Sequence, residues 1–170
     1  MDWDERFMRA AIREAMKAAE KDEVPVGAVI VRSGRIIARG HNLRETRKDP
    51  IAHAEMIAIG KAARRLGGWR LEGCSMYVTL EPCPMCAGAL INSRMEAVYF
   101  GAYDPKGGCC GSLYNLPQDV RFNHRLQVVG GILGDECGRV LTEYFRRKRL
   151  LGKGRQAAKL GREGAFGDGV

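Results

Sequence analysis

Two short motifs in this chain bring together residue types that bind a metal and move a proton. One is His53-Ala54-Glu55; the other is Pro82-Cys83-Pro84-Met85-Cys86, with 26 residues between Glu55 and Pro82. Cys83 and Cys86, three apart in a first helical turn, present both sulfurs to one side, the clamp that Zn²⁺ accepts at roughly 2.3 Å per Zn–S bond. His53 supplies a third ligand. Two thiolates and one imidazole leave a tetrahedral position for water, which separates a catalytic zinc from a closed structural one. The thiolates also cancel the charge of the ion, so it is only a moderate Lewis acid and a neighbouring base is needed to finish deprotonating water. Glu55, two residues past His53, is placed to be that base without being a ligand.

Each motif alone has a plainer explanation. A Cys-x-x-Cys also makes a redox dithiol or half of a structural zinc knuckle, and a His-x-Glu arises by chance. Their conjunction, with a helix start at each and prolines flanking the cysteines, argues for the catalytic reading. Cys74, Cys109, Cys110 and Cys137 read as small buried or loop thiols. His41 and His124 read as hydrogen-bonding residues rather than ligands.

The elements that must position these motifs follow from periodicity. Met8, Ala11, Ile12, Ala15 and Ala19 recur at helical spacing, which predicts an amphipathic helix over 3–21. Val26 to Val31 and Ile36 to Ala38 read as a hairpin turning at Ser33-Gly34, followed by a polar loop through His41 and Asn42. A helix from about His53 stops at Gly67-Gly68, and Met76 to Leu80 is a strand. Pro82 and Pro84 require a helix to start there, because proline is tolerated only in a first turn. That helix reaches Asn92, Ala97 to Phe100 is a strand, Leu126 to Leu133 is a last strand weakened by Gly130-Gly131, and Glu136 to Arg149 closes as a helix. Strands alternating with helices argue for a three-layer α/β domain.

With 170 residues, 45% hydrophobic and 28% charged, the chain fits one ordinary globular domain and neither a fibrous repeat nor a disordered polymer. No apolar stretch approaches the ~20 residues that span a bilayer, and the first twenty residues lack a secretory pattern, so the expectation is a cytoplasmic protein whose six cysteines are thiols or ligands. The net charge of +8 is lopsided: residues 146–170 hold eight basic and two acidic side chains, a net of +6, leaving +2 for the rest. A basic extension on a balanced body suits either a phosphate-binding arm or a solvated end. The expected organisation is a domain over 1–152 and a basic tail over 153–170 that is disordered, being rich in glycine and charge.

Beyond the two motifs, Val24-Pro-Val-Gly-Ala28, Gly40-His-Asn42, Ala52-His-Ala-Glu55, Thr79-Leu-Glu-Pro-Cys83, Phe100-Gly-Ala-Tyr-Asp104, Asn123-His-Arg125 and Glu143-Tyr-Phe145 form a set. Over about residues 3–149 the chain resembles the tRNA adenosine deaminase branch of the zinc-dependent cytidine deaminase superfamily, whose signature is His-x-Glu with Pro-Cys-x-x-Cys. The resemblance implies an α/β/α cytidine deaminase-like fold with a central mixed sheet, one Zn²⁺ per subunit on His53, Cys83 and Cys86, and Glu55 as the catalytic acid and base. It implies conversion of adenosine to inosine at the wobble position of a tRNA anticodon, in bacteria chiefly that of an arginine tRNA, by a homodimer. It further implies that Asn42 reads the nucleoside, Val26 walls the base, Asp104, Lys106 and Asn123 grip the anticodon loop, Phe145 stacks on an unstacked base and Arg149 meets phosphate. Two other functions remain open on the sequence: a small-molecule deaminase acting on guanine, cytosine or a nucleotide, and a noncatalytic zinc-stabilised RNA-binding module.

Overall fold

Asp2 caps the first helix, α1 (Trp3–Glu20), by accepting the Asp4 N–H at 3.2 Å, an interaction worth about 1 kcal/mol. Phe7, Met8, Ala11, Ala15 and Ala18 form its buried stripe. The computed structural model describes residues 2–163, with side chains as far as Lys153 and at Gln156.

Strands β1 (Gly27–Arg32) and β2 (Arg35–His41) make the hairpin. Ser33 and Gly34 turn it with φ of 50° and 72°, the mirror-image turn whose twist suits paired strands. β3 (Cys74–Leu80) pairs antiparallel with β1, while β4 (Ala97–Ala102) runs parallel to β3 and β5 (Gln127–Gly130) parallel to β4. The sheet is therefore mixed, in the order β2-β1-β3-β4-β5.

Side chains alternate across it. Ala28, Ile30, Met76, Val78, Val98 and Phe100 pack against α3 (Ala54–Leu66) and α4 (Pro84–Asn92). Val29, Val31, Tyr77 and Tyr99 point the other way, to α1 and to Cys137 of α5 (Gly134–Glu163). Both faces are covered, as parallel pairing requires, and the result is the expected three-layer α/β/α sandwich. Met8, Ile30, Met76 and Phe100 are fully buried, each worth about 1.5–3 kcal/mol relative to exposure.

Gly40 matters to the site. A Cβ there would fall 2.3 Å from the Ala54 carbonyl oxygen and 2.9 Å from the Ala58 nitrogen. The backbone of β2 thus seats the first turn of α3 directly.

Four expectations need correction. β2 continues through His41, which the sequence pattern assigns to a loop, because pairing with Gly27 satisfies it. A one-turn helix, α2 (Arg44–Arg47), follows where no helix was expected. β5 ends at Gly130, and Gly131 turns away with a φ of 87°. Finally, α5 does not end at Arg149: its backbone stays helical to Glu163, where disorder was expected past residue 152. Gln156-Ala157-Ala158-Lys159-Leu160 are strong helix formers without proline, and Gly152, Gly154 and Gly161 each cost only about 1 kcal/mol relative to alanine. Residues 164–170 of the expected disordered tail lie outside the described residues. No helix among the described residues is long and apolar enough to cross a membrane.

Candidate metal centre and base pocket

His53 is the N-cap of α3 and Cys83 the N-cap of α4, where Pro84 opens the first turn. Neither side chain caps its own helix, so both are free to turn toward each other. Cys86 follows in the first turn of α4. His53 Nδ1 lies 3.7 Å from the Sγ of Cys83 and 3.7 Å from the Sγ of Cys86, and the three ligand atoms lie within 4.8 Å of one another. A tetrahedral zinc with ordinary bond lengths holds its nitrogen and sulfur ligands roughly 3.6 Å apart. The donor set and its spacing therefore fit zinc.

Without an ion, the three groups share protons among themselves. Hydrogen bonding from Cys86, then from His53, pulls Cys83 down to about 4, into thiolate. Cys86 is pushed up, first by its bond to Cys83 and then by burial, so the pair shares one negative charge. His53 is raised chiefly by its bond to Cys83. An ion held between them would replace those shared protons, and the helix N-termini favour the thiolates it would need.

Glu55 is 4% exposed. Burial, with help from the Cys83 charge, pushes its carboxyl up to about 7. A carboxyl raised in this way holds a proton more readily than an exposed one, a property suited to acid and base chemistry.

A cavity of about 170 Å³ opens onto these groups, lined by Val24, Val26, Asn42, Arg44, His53, Ala54, Glu55, Leu80, Glu81, Cys83 and Asp104. Its volume suits one base rather than a whole drug-sized ligand. Val24, Val26 and Leu80 supply apolar walls. Asn42 donates to the Val24 carbonyl at 3.1 Å and accepts the Arg44 N–H at 3.1 Å. That locks the amide while leaving one N–H and one acceptor lobe for a ligand. Asp104 both lines the cavity and shapes its own loop, its Oδ1 accepting the N–H groups of Lys106 at 3.0 Å and Gly107 at 3.2 Å.

The structure thus brings Val26, Asn42, His53, Glu55, Cys83 and Asp104 to one cavity, with Cys86 buried behind them. Lys106, Asn123, Phe145 and Arg149 do not line it; all four are exposed. Phe145 is 44% exposed and meets Tyr144 edge-on at 5.3 Å. The other four cysteines are buried and free. His124 hydrogen-bonds the Met95 carbonyl at 2.7 Å, and His41 bonds Glu14 and Lys21.

Sequence reasoning missed Arg44, Glu81 and Glu23. Arg44 sits on α2, which has no periodic signal. Glu23 is wholly buried and accepts the N–H groups of Glu45 at 3.2 Å and Thr46 at 2.6 Å, so it holds the loop carrying Arg44. Glu81 had a visible signal: a charge following an apolar strand and preceding two prolines has to be satisfied inside.

A buried carboxyl beside three zinc donors in a base-sized cavity is the equipment of a zinc-dependent hydrolytic deaminase. Residues 1–102 match the cytidine and deoxycytidylate deaminase zinc-binding region, and the chain belongs to that family. It is 61% identical to the tRNA-specific adenosine deaminase of Bacillus subtilis (strain 168) over 149 residues, 88% of this chain and 92% of the relative. A solved structure from work on A-to-I editing by tRNA:A34 deaminases at the wobble position of transfer RNA matches with a TM-score of 0.77 and 43% identity, covering 80% of this chain and 99% of the other. The guanine deaminase of Bacillus subtilis matches with a TM-score of 0.56 and 44% identity, over 58% of this chain and 64% of the other.

Proposed function

We propose that the protein hydrolyses adenosine to inosine at the wobble position of a tRNA anticodon, with an arginine tRNA as the principal substrate. The observation that carries this reading is the buried Glu55 carboxyl beside His53, Cys83 and Cys86 in a cavity sized for one base. The high identity to tRNA-specific adenosine deaminases along most of the chain supports the choice of substrate.

Zinc would be held by His53, Cys83 and Cys86 and would supply Lewis acidity toward the attacking water. Glu55 takes a proton from the attacking water as its oxygen adds to C6 of the purine, and returns it to N1. The remaining water proton, on the C6 hydroxyl, goes to the exocyclic nitrogen as C6=O forms and the C6–N bond breaks, so adenosine and water become inosine and ammonia. Val24, Val26 and Leu80 exclude bulk water from the flipped base, and Asn42 orients the nucleoside with its spare donor and acceptor. Asp104, Lys106 and Asn123 grip the anticodon loop around the extruded nucleotide. Phe145 stacks on a neighbouring unstacked base, and Arg149 meets backbone phosphate. The enzyme works in the cytoplasm as a homodimer.

The test is direct. Zinc-loaded protein is incubated with an anticodon stem-loop bearing adenosine at the wobble position, and separately with guanine and with free nucleosides; products are read by mass spectrometry. Inosine in the stem-loop is the expected result. Turnover of free bases alone would reassign the chain to small-molecule chemistry.

A further inference from the structure

Glu81 is neither one of the proposed ligands nor part of the proposed proton path, yet it is 2% exposed and lines the cavity. Four donors converge on its carboxylate: the Asp104 N–H at 2.9 Å, the Cys110 N–H at 3.1 Å, the Ser112 N–H at 2.8 Å and the Ser112 hydroxyl at 2.5 Å. All four belong to the loop 104–112. Gly108 of the same loop lies flat on the carboxyl, since a Cβ there would fall 2.2 Å from Glu81 Cδ.

The segment that carries Glu81 is itself pinned. Its N–H donates to the Ala102 carbonyl at 2.8 Å, extending the β3–β4 pairing, and the next carbonyl, of Pro82, accepts the Cys109 N–H at 2.8 Å. Cys83 follows immediately. One short stretch of backbone therefore holds a metal donor and, through a buried carboxylate, the loop carrying Asp104 and Lys106. Charge-assisted bonds from several backbone amides define a loop's position more tightly than exposed interactions would.

We propose that Glu81 is a positioning residue for deamination, its carboxylate locking the 104–112 loop in register with Cys83 so that Asp104 and Lys106 meet the substrate at a fixed distance from the metal centre. This rests on the RNA reading above. It predicts that loss of the carboxylate weakens substrate capture while leaving the proton chemistry of Glu55 alone.

Glu81→Gln keeps the shape but turns an NH₂ toward donors that need an acceptor. Ser112→Ala removes one donor and leaves the carboxylate intact, giving a milder variant should the first fold poorly. Full-length, zinc-loaded protein is assayed on the anticodon stem-loop, with zinc content and amide hydrogen exchange of the 104–112 peptide measured in parallel. Glu81→Gln should raise KM about tenfold with kcat within about threefold of the parent, and Ser112→Ala should raise KM about threefold. Zinc content should stay unchanged, and exchange in 104–112 should quicken. An unchanged KM in both variants, or a loss of kcat and zinc with KM unmoved, overturns the proposal. If the parent turns over only a free base, the RNA reading fails, and the same comparison of KM with kcat on that base still decides the role of Glu81.

Discussion

His41 Nδ1 lies 3.2 Å from a carboxylate oxygen of Glu14, joining the second strand to the first helix. The other ring nitrogen meets Lys21 Nζ at 2.9 Å, and the second Glu14 oxygen takes Lys17 at 2.8 Å. An ammonium can only donate, so Nε2 is the acceptor and the ring proton sits on Nδ1, pointing at Glu14. His41 is neutral in the fold. Burial lowers its pKa below 6.5, with Glu14 opposing and Lys21 reinforcing the shift. Burial works to raise Glu14, but its bonds from Lys17 and His41 outweigh that and leave it below 4.5.

Both shifts act in one direction. Above the ordinary histidine pKa the folded and unfolded chains bind the same number of protons at His41; below it the unfolded chain takes up a proton that the fold resists. Stability is thus fully present at neutral pH and falls as the solution is acidified, with Glu14 adding to the loss at lower pH. Thermal unfolding of zinc-loaded protein at about pH 7.5 and about pH 5.5 checks this. The midpoint of the parent should drop further than that of His41→Gln; equal drops would remove His41 from the account.

Glu55→Gln should keep zinc and fold while inosine formation falls by at least about a hundredfold, the range general acid and base catalysis supplies. The amide occupies the same space but cannot carry the proton. Metal analysis and circular dichroism report the first half, stem-loop turnover the second. Normal turnover in this variant would hand the proton chemistry to another group.

Stripping the metal with a strong chelator should abolish turnover and lower the thermal midpoint, since whatever binds only the folded chain stabilises it by mass action. Readdition of one equivalent of zinc per chain should restore both. A midpoint indifferent to the metal would mean that His53, Cys83 and Cys86 contribute nothing jointly.

Deleting residues 150–170 removes Lys153, Arg155, Lys159 and Arg162 from the end of the chain. Affinity for the stem-loop should weaken, and the slope of its logarithmic salt dependence should flatten by about 0.7–0.9 for each phosphate that is no longer neutralised, with zinc content unchanged. Identical affinity across a salt series would make the segment a bystander.

The layers and most element starts were readable from the chain because they rest on local rules. Three-and-four spacing marked α1, Pro84 marked the start of α4, and Gly67, with a φ of 75°, marked the end of α3. The metal donors were readable for the same reason, since a Cys-x-x-Cys at a helix start fixes its own geometry. What escaped depends on partners distant in sequence. Glu81 reaches 23 to 31 residues ahead for its donors and Glu23 reaches 22 to 23, and no periodicity records such pairings. The extent of α5 escaped for the opposite reason: Gly152, Gly154 and Gly161 read as disorder, although the helix formers between them favour a continued helix.

The missing side chain at Gly40 also bears on how this family could diversify. Main chain rests on main chain there, with no deformable cushion between sheet and helix, so His53 and Glu55 have little room to drift as the surroundings change. Two segments at the cavity mouth are held differently, by side-chain carboxylates of Glu23 and Glu81 instead of by packed main chain. Variation is therefore easier to absorb at that rim than beneath the first turn of α3.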